Sequence, residues 1–181
     1  MSLLTESAQR EILTLARRSV RDFLQTGKKN IQISKNPELQ MRSGVFVTLR
    51  NGEKLRGCIG IITPPGPLFE TVQHCAASAA TSDPRFNPVI PSELEEIKFE
   101  ISVLSTPEPL RDLSQIELGI HGLIISQEGR RGLLLPQVAT ENHWDQETFL
   151  AQTCRKAGLP LDAWQRGAEI LLFRAFVFAE N

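Results

Sequence analysis

Two strand-like runs joined by Asn51-Gly52 constrain the fold of this chain more than any other feature. The first run, GVFVTLR, and the second, EKLRGCIGI, are rich in β-branched and aliphatic residues. Asn-Gly is the preferred pair for a type I′ turn between antiparallel strands. The sequence therefore predicts a β-hairpin here, and its second strand carries a cysteine between two glycines.

The first half of the chain contains three further patterned segments. Residues 5–26 place apolar side chains three and four positions apart, with Thr5 as N-cap and Gly27 as the stop, which predicts an amphipathic helix. We expect its apolar stripe to pack on a sheet. A second helix is predicted from about Pro67, and EIKFEISVL alternates apolar and polar residues like a strand with one buried face.

The second half adds a hairpin, a helix and a strand. HGLIISQEGRRGLLLP predicts a hairpin with Gly129 in its turn, and Asp145 can cap a following helix. EILLFRAFVFAE has two apolar faces, which predicts a central strand. Hairpins and helices without regular strand–helix–strand alternation favour an α+β fold, with a mostly antiparallel sheet and flanking helices. A length of 181 residues suits a single domain over residues 1–181, with room for two lobes.

Composition and charge exclude several classes of function. A net charge of -1 and the absence of tyrosine disfavour nucleic-acid binding. The apolar runs are shorter than a membrane span and MSLLTESAQREIL does not resemble a signal peptide, so we expect no membrane association and a cytoplasmic location. Cys58, Cys75 and Cys154 are odd in number and widely spaced, which argues against a disulfide framework.

Cys58 is the candidate for chemistry in the first hairpin. In a regular strand Arg56, Cys58 and Gly60 share one face, and Arg56 lies about 7 Å from Cys58 along the strand. A guanidinium at that range favours a thiolate. We expect Gly60 to leave open space beside the sulfur and Gly57 to let another backbone approach from behind. The alternative is a buried cysteine that acts as a small hydrophobe, with glycines that mark a bulge.

Polar residues elsewhere supply further candidates, each with a structural alternative. Asp83 and Arg85 in SDPRF either form a turn or present an arginine fork to a carboxylate or phosphate. Glu100, on the polar side of its strand, is either solvated or a general base. His121 and His143 are either structural or move protons. We expect Gln137 on a loop or short turn, where it either lines a pocket or caps the next helix.

The sequence gives no support for a metal site or a nucleotide cofactor. No pair of cysteines or histidines has the spacing of a metal site, so we predict none. No phosphate-binding glycine loop and no dinucleotide fingerprint is present, which leaves the cofactor unknown.

Motifs along nearly the whole chain resemble those of the AMMECR domain family. They are LRGCIG at 55–60, SDPRF at 82–86, HGLII at 121–125 and LLPQVATENHW at 134–144. The compact length is similar to that of prokaryotic members. The resemblance implies an α+β fold in two lobes with the LRGCIG motif facing a cleft between them. It implies no settled biochemical activity, so the question of catalysis stays open.

The resemblance also implies partners. In many prokaryotes, proteins of this family are encoded beside, or fused to, a Memo-like protein and a radical SAM enzyme. One hypothesis is a cleft for a small molecule or anion in which Cys58 is nucleophile or ligand, Arg56 tunes it, and Glu100, His121 or His143 moves protons. The other is a non-catalytic adaptor module for those partners.

Overall fold

The structure, a computed structural model, describes residues 4–180, so the first three residues of the segment compared with a signal peptide lie outside it. The chain forms two compact units. Unit 1 comprises the described residues up to Val103 and from Phe176 onward, and unit 2 comprises Leu104–Ala175. The helices are α1 Glu6–Thr26, α2 Leu68–Thr81, α3 Pro136–Glu141 and α4 Gln146–Lys156. The strands are β1 Val45–Asn51, β2 Lys54–Ile61, β3 Ile97–Leu104, β4 Glu108–Pro109, β5 His121–Gln127, β6 Arg130–Leu134 and β7 Glu169–Ala179.

Antiparallel pairing with separate helices confirms the predicted α+β class. In unit 1, β1 pairs with β2 on one side and with β3 on the other. The alternation predicted for β3 is confirmed, because Ile97, Phe99, Ile101 and Val103 are buried in a core that also contains the apolar side of α2. No helix among residues 4–180 is both long enough and apolar enough to cross a membrane.

Helix α1 begins and ends where the sequence predicted. The Thr5 hydroxyl accepts a hydrogen bond from the Ala8 amide at 3.3 Å, and Gly27, at φ 68°, donates from its amide to the carbonyl of Phe23. The main helical neighbour of α1 is α2, which lies on β1 and β2. The buried side of α1 shares one core with residues of β1 and β3. Arg17 of α1 also donates to the carbonyl of Ile97 and lies over the ring of Phe99, so α1 packs against the sheet as well as against α2.

The turn of the first hairpin differs from the prediction. Asn51 pairs with Lys54, so the connection is Gly52-Glu53, and only Gly52 of these has a positive φ. A type I′ turn on Asn51-Gly52 is therefore wrong, since it needs positive φ at both positions. Asn51 stays in the strand because it also pairs with Ile97 of β3, and its side-chain amide donates to Glu96 at 3.1 Å.

Unit 2 contains the second predicted hairpin. Gln127 pairs with Arg130 across Glu128 and Gly129, whose φ values of 52° and 77° suit a type I′ turn. Strand β5 lies between β6 and β7, and β4 pairs with β7. The predicted cap of α4 is confirmed, because Asp145 accepts from the amide of Thr148.

Two more segments test the sequence analysis. Gln137 lies in α3, a short helix that starts at Pro136, where we expected a loop or turn. Strand β7 has strand neighbours on both sides, as predicted, and passes from unit 2 into unit 1. At its end Glu180 binds Arg17 through both carboxylate oxygens, at 2.8 and 2.6 Å, and accepts from the amide of Phe99 at 2.9 Å.

Candidate functional site

A β-bulge in β2 changes the geometry around Cys58. Leu49 pairs with Gly57 but Arg50 pairs with Leu55, which leaves Arg56 as an extra residue in its strand. An extra residue interrupts the alternation of side chains between the two faces of a sheet. The expectation that regular pleating sets Arg56 beside Cys58 is therefore wrong.

Arg56 binds the connection that follows α2 instead. Its guanidinium meets both carboxylate oxygens of Glu93, at 3.1 and 3.0 Å, and donates to the carbonyls of Asn87 and Pro88 at 2.8 and 3.2 Å. The Arg56 side chain is only 17% exposed, and its hydrogen bonds hold the pKa of Glu93 below its usual value. Arg56 thus fastens β2 to residues 87–93.

Asp83 and Arg85 are the charged residues that contact Cys58. The Asp83 carboxylate accepts from the Cys58 amide at 2.8 Å, and Arg85 donates to the Cys58 carbonyl at 3.3 Å. Arg85 also binds both oxygens of Asp83, at 2.9 and 2.7 Å. Hydrogen bonds from Arg85 above all, and from the Cys58 amide, hold the pKa of Asp83 well below its usual range despite burial. The SDPRF segment therefore forms a local turn in which the fork of Arg85 is bound to Asp83.

The side chain of Cys58 lies in a row of polar groups across three strands. Thr48 of β1 pairs with Cys58 on one side and with Glu100 of β3 on the other, so the three side chains share one face of the sheet. The Thr48 hydroxyl donates to the Cys58 sulfur at 3.4 Å. The Glu100 side chain is 24% exposed and lies 3.9 Å from Arg50. Sequence analysis singled out Cys58 and Glu100 but missed Thr48 between them.

The two glycines of the motif have different surroundings. A Cβ on Gly57 would lie 2.1 Å from the carbonyl oxygen of Ala79, so the backbone of α2 approaches this position as expected. A Cβ on Gly60 would lie 2.3 Å from the ring of Phe46. The expectation that Gly60 leaves open space is wrong, because an aromatic ring of the neighbouring strand fills that volume.

The three cysteines are free thiols with different exposure. Cys75 and Cys154 are buried, whereas Cys58 is half-buried. Burial raises the pKa of Cys75 to about 12 and also raises the pKa of Cys154. At neutral pH these two thiols stay protonated and enclosed, so Cys58 is the best placed of the three for chemistry.

The remaining predicted residues belong to unit 2. His121 accepts at Nδ1 from the Glu117 amide at 3.2 Å, and its Nε2 lies 3.4 Å from Nε of Arg174, which favours a structural role. His143 is exposed and has φ 53° in the turn before α4. Unit 1 brings together Cys58, Glu100, Asp83 and Arg85, and none of the contacts just described joins His121, His143 or Gln137 to them. Among residues 4–180 no group of three or more His, Cys, Asp or Glu side chains could hold a metal ion.

Comparisons with known proteins identify a family and several similar archaeal proteins. A sequence profile of the AMMECR1 family matches residues 13–178. Protein MK0488 of Methanopyrus kandleri is 45% identical, over 94% of this chain and 87% of its own length. A protein of Methanothermobacter thermautotrophicus is 44% identical, over 98% of this chain and 97% of its own. The crystal structure of uncharacterized protein PH0010 from Pyrococcus horikoshii matches with a TM-score of 0.92 and 39% identity, and covers 99% of this chain and 94% of that one.

Proposed function

The chain belongs to the AMMECR1 family, and on that premise we propose that its LRGCIG segment forms a thiol site for a small anionic molecule. The observation that carries this proposal is the way in which Cys58 is held. Its amide and its carbonyl are both bound by side chains of the SDPRF segment, Asp83 and Arg85. These contacts fix the main chain of Cys58 and hold the guanidinium of Arg85 at the same position of the strand.

Arg85 is the anion-binding group in this proposal. Its side chain is 55% exposed, whereas the Asp83 carboxylate that fixes it is 2% exposed. The Nε and one terminal nitrogen are bound to Asp83 and Cys58, while the other terminal nitrogen has no hydrogen-bond partner among the described residues. A fixed guanidinium with free donors suits a carboxylate or a phosphate.

Thr48 and solvent provide the proton chemistry. When the thiol of the half-buried Cys58 ionises, its S–H bond breaks, the electron pair stays on sulfur and the proton passes to water. Glu100 lies on the far side of Thr48, two strand spacings or about 10 Å from Cys58, so its role as general base stays a prediction. The Thr48 hydroxyl, which donates to the sulfur, stabilises the thiolate. The resulting site would bind an anion through Arg85 and present a nucleophilic or ligating sulfur beside it.

Alkylation by two reagents that differ only in charge tests this proposal. Iodoacetate is an anion and iodoacetamide is neutral, so the ratio of their rates at Cys58 measures attraction of an anion to the thiol. We expect Arg85→Gln to lower that ratio about tenfold, the effect of one charge-assisted contact. Arg18→Gln, an exposed arginine of α1, is the matched control and should leave the ratio unchanged.

Two outcomes would reject the thiol site. If Cys58→Ser leaves the fast phase of alkylation intact, the reactive thiol is another cysteine. If Arg85→Gln changes both reagents equally, the arginine acts on the structure and not on the anion. The neutral reagent thus separates loss of fold from loss of the binding group.

The wider functional context rests on the resemblance of the sequence. We propose that this domain acts with a Memo-like protein and a radical SAM protein, with adaptor function as the alternative to catalysis. Co-expression of the three chains, with a tag on this one, tests the association. A Cys58→Ser variant that still co-purifies but is inactive in the joint assay would favour a catalytic site, whereas full activity of that variant would favour an adaptor.

The roles of the other predicted site residues remain predictions. Proton transfer by His121 or His143, and ligand contacts of Arg56, Gly57, Gly60 and Gln137, enter this proposal only if a ligand reaches them. The same alkylation ratio, measured for single substitutions of these residues, would rank them against Arg85.

A further inference from the structure

Strand β6 of unit 2 has a backbone edge that no strand of residues 4–180 covers. Its strand neighbour in the described part of the chain is β5 alone. Gln127 and Arg130 flank a two-residue turn, so they form the first hydrogen-bonded pair of the hairpin. Because such pairs alternate with non-hydrogen-bonded pairs, the amides and carbonyls of Arg131 and Leu133 point away from β5.

These outward groups have no hydrogen-bond partner in residues 4–180. Neither Arg131 nor Leu133 takes part in a backbone bond outside the hairpin or in a side-chain bond to its backbone. Unpaired groups in a row on a strand are a template for another strand. The edge therefore has two donors and two acceptors at the spacing that an extended peptide requires. Arg131 is exposed, and Leu133 is 8% exposed.

Basic side chains surround this edge. Arg130 and Arg131 are exposed on β6 itself, and Arg155 and Lys156 are exposed in the last turn of α4. The end of α4 lies directly against β6, because a Cβ on Gly132 would be 2.3 Å from the amide nitrogen of Ala157. Arg130 also donates to the carbonyl of Gly158 at 2.9 Å.

Acidic groups do not cancel this charge at the edge. Glu128 lies in the turn of the hairpin. Glu169 lies on β7, two strands away from β6, and accepts a hydrogen bond from Ser126 of β5. Arg131 has no ion-pair partner among the described residues, and neither do Arg155 and Lys156. The local charge is therefore positive although the whole chain carries -1.

We propose that the β6 edge binds an acidic, extended segment of a partner protein by strand addition. Main-chain hydrogen bonds to Arg131 and Leu133 would hold the segment, and the four basic side chains would select acidic residues in it. A second copy of this chain is a poor occupant, because two β6 edges would bring arginines of both copies together. The positive charge that repels the β6 edge of a second copy attracts an acidic peptide segment.

A synthetic peptide tests both parts of the proposal. The probe alternates glutamate and valine over about six residues, the usual length of a strand, and carries a fluorescent label for anisotropy. A second probe has the same sequence with every backbone amide N-methylated, so it keeps the charge but can donate no main-chain hydrogen bond from either edge. The full chain is compared with its Arg131→Glu variant and with Arg18→Glu, which makes the same charge change on α1.

We expect the plain peptide to bind, and N-methylation and Arg131→Glu each to weaken binding at least about tenfold, while Arg18→Glu changes it little. Hydrogen exchange should slow at the amides of Arg131 and Leu133 when the plain peptide is bound. Equal binding of both probes, or no binding at millimolar peptide, would overturn the proposal. So would a single-stranded oligonucleotide that binds this edge more tightly than the peptide does, since the edge would then be a nucleic-acid site.

Discussion

The β1–β2 and β5–β6 hairpins both end in an outer strand with a single strand neighbour, yet those outer strands differ. In β2 a bulge interrupts the pairing and side chains of Asp83 and Arg85 bind the outward amide and carbonyl of Cys58. In β6 the pairing is regular and the outward groups have no partner in the described chain. One edge is closed and fixes a thiol, while the other stays open to a further strand.

In both hairpins, nevertheless, a glycine of the outer strand packs against the backbone of a helix. A Cβ on Gly57 would lie 2.1 Å from Ala79, and a Cβ on Gly132 would lie 2.3 Å from Ala157. In each case the obstacle is helix backbone, which cannot move aside as a side chain can. The closed and open edges are therefore built on the same close approach of helix to strand.

The largest expected effect comes from adding a Cβ at these two glycines, where strand and helix backbones are in close contact. We expect Gly57→Ala and Gly132→Ala each to lower the free energy of unfolding by about 3 kcal/mol, through overpacking against backbone. Gly129→Ala is the control, because Gly129 has φ 77° with nothing within 4 Å and should cost only about 1 kcal/mol. Urea unfolding followed by far-UV circular dichroism gives the values. A cost at Gly57 no larger than at Gly129 would contradict the close approach.

The next largest effect is a difference in stability cost between substitutions at the closed edge, β2, and at the open edge, β6. Asp83→Ala removes the partner of the Cys58 amide and leaves Arg85 without its carboxylate, which should cost about 2 kcal/mol at neutral pH. Arg131→Ala on the open edge should cost no more than about 0.5 kcal/mol. Similar costs for the two variants in urea unfolding would remove the distinction.

Acid should weaken the closed edge in particular. Because the pKa of Asp83 is lowered in the folded state, its contribution is present above the unfolded pKa of about 3.9 and is lost as pH falls through and below that value. The difference in stability between wild type and Asp83→Asn should therefore shrink from pH 7 to pH 3. A constant difference would show that Asp83 acts without its charge.

A smaller effect is expected from the bulged residue. Arg56→Gln should lower stability by about 1 kcal/mol, since it removes the ion pair with Glu93 and two bonds to carbonyls. It should also speed hydrogen exchange at the Cys58 amide, because β2 is then less firmly held. Arg130→Gln, which removes one exposed bond to Gly158, is the control and should change neither quantity appreciably.

The smallest effect concerns the two turns and has opposite signs. Glu128 has φ 52°, so Glu128→Gly should stabilise the second hairpin by about 0.5 kcal/mol. Glu53 has no positive φ, so Glu53→Gly should destabilise the first hairpin by about 0.5 kcal/mol. Thermal unfolding of both variants checks the signs. A gain in both would mean that the turns share one conformation.

The features that could be predicted from the sequence are those determined by residues close together along the chain. The ends of α1, both hairpins, the alternation in β3 and the cap of α4 each follow from residues within a few positions of one another. The start of α3 also had a local signal, since Pro136 occupies a first helical position, where proline is favoured. That signal was available, and we interpreted the segment as a loop.

The geometry around Cys58 could not be predicted in the same way. A turn on Asn51-Gly52 would pair Thr48 with Leu55, whereas the observed turn and the bulge at Arg56 pair it with Cys58. Both shifts depend on contacts with distant segments. Arg56 binds Glu93 and Cys58 binds Asp83, which lie 37 and 25 positions along the chain. Contacts over such distances in the sequence leave no local periodic pattern from which they could be predicted.

The contact between Arg17 and Glu180 spans 163 positions of sequence and lies within unit 1. Unit 2, in contrast, is one continuous segment. During folding, unit 2 can therefore assemble while the edge of β3 that the last part of β7 will cover is still bare. Since joining such distant segments is slow, we expect the closing of unit 1 by the last part of β7 to be a late step of folding.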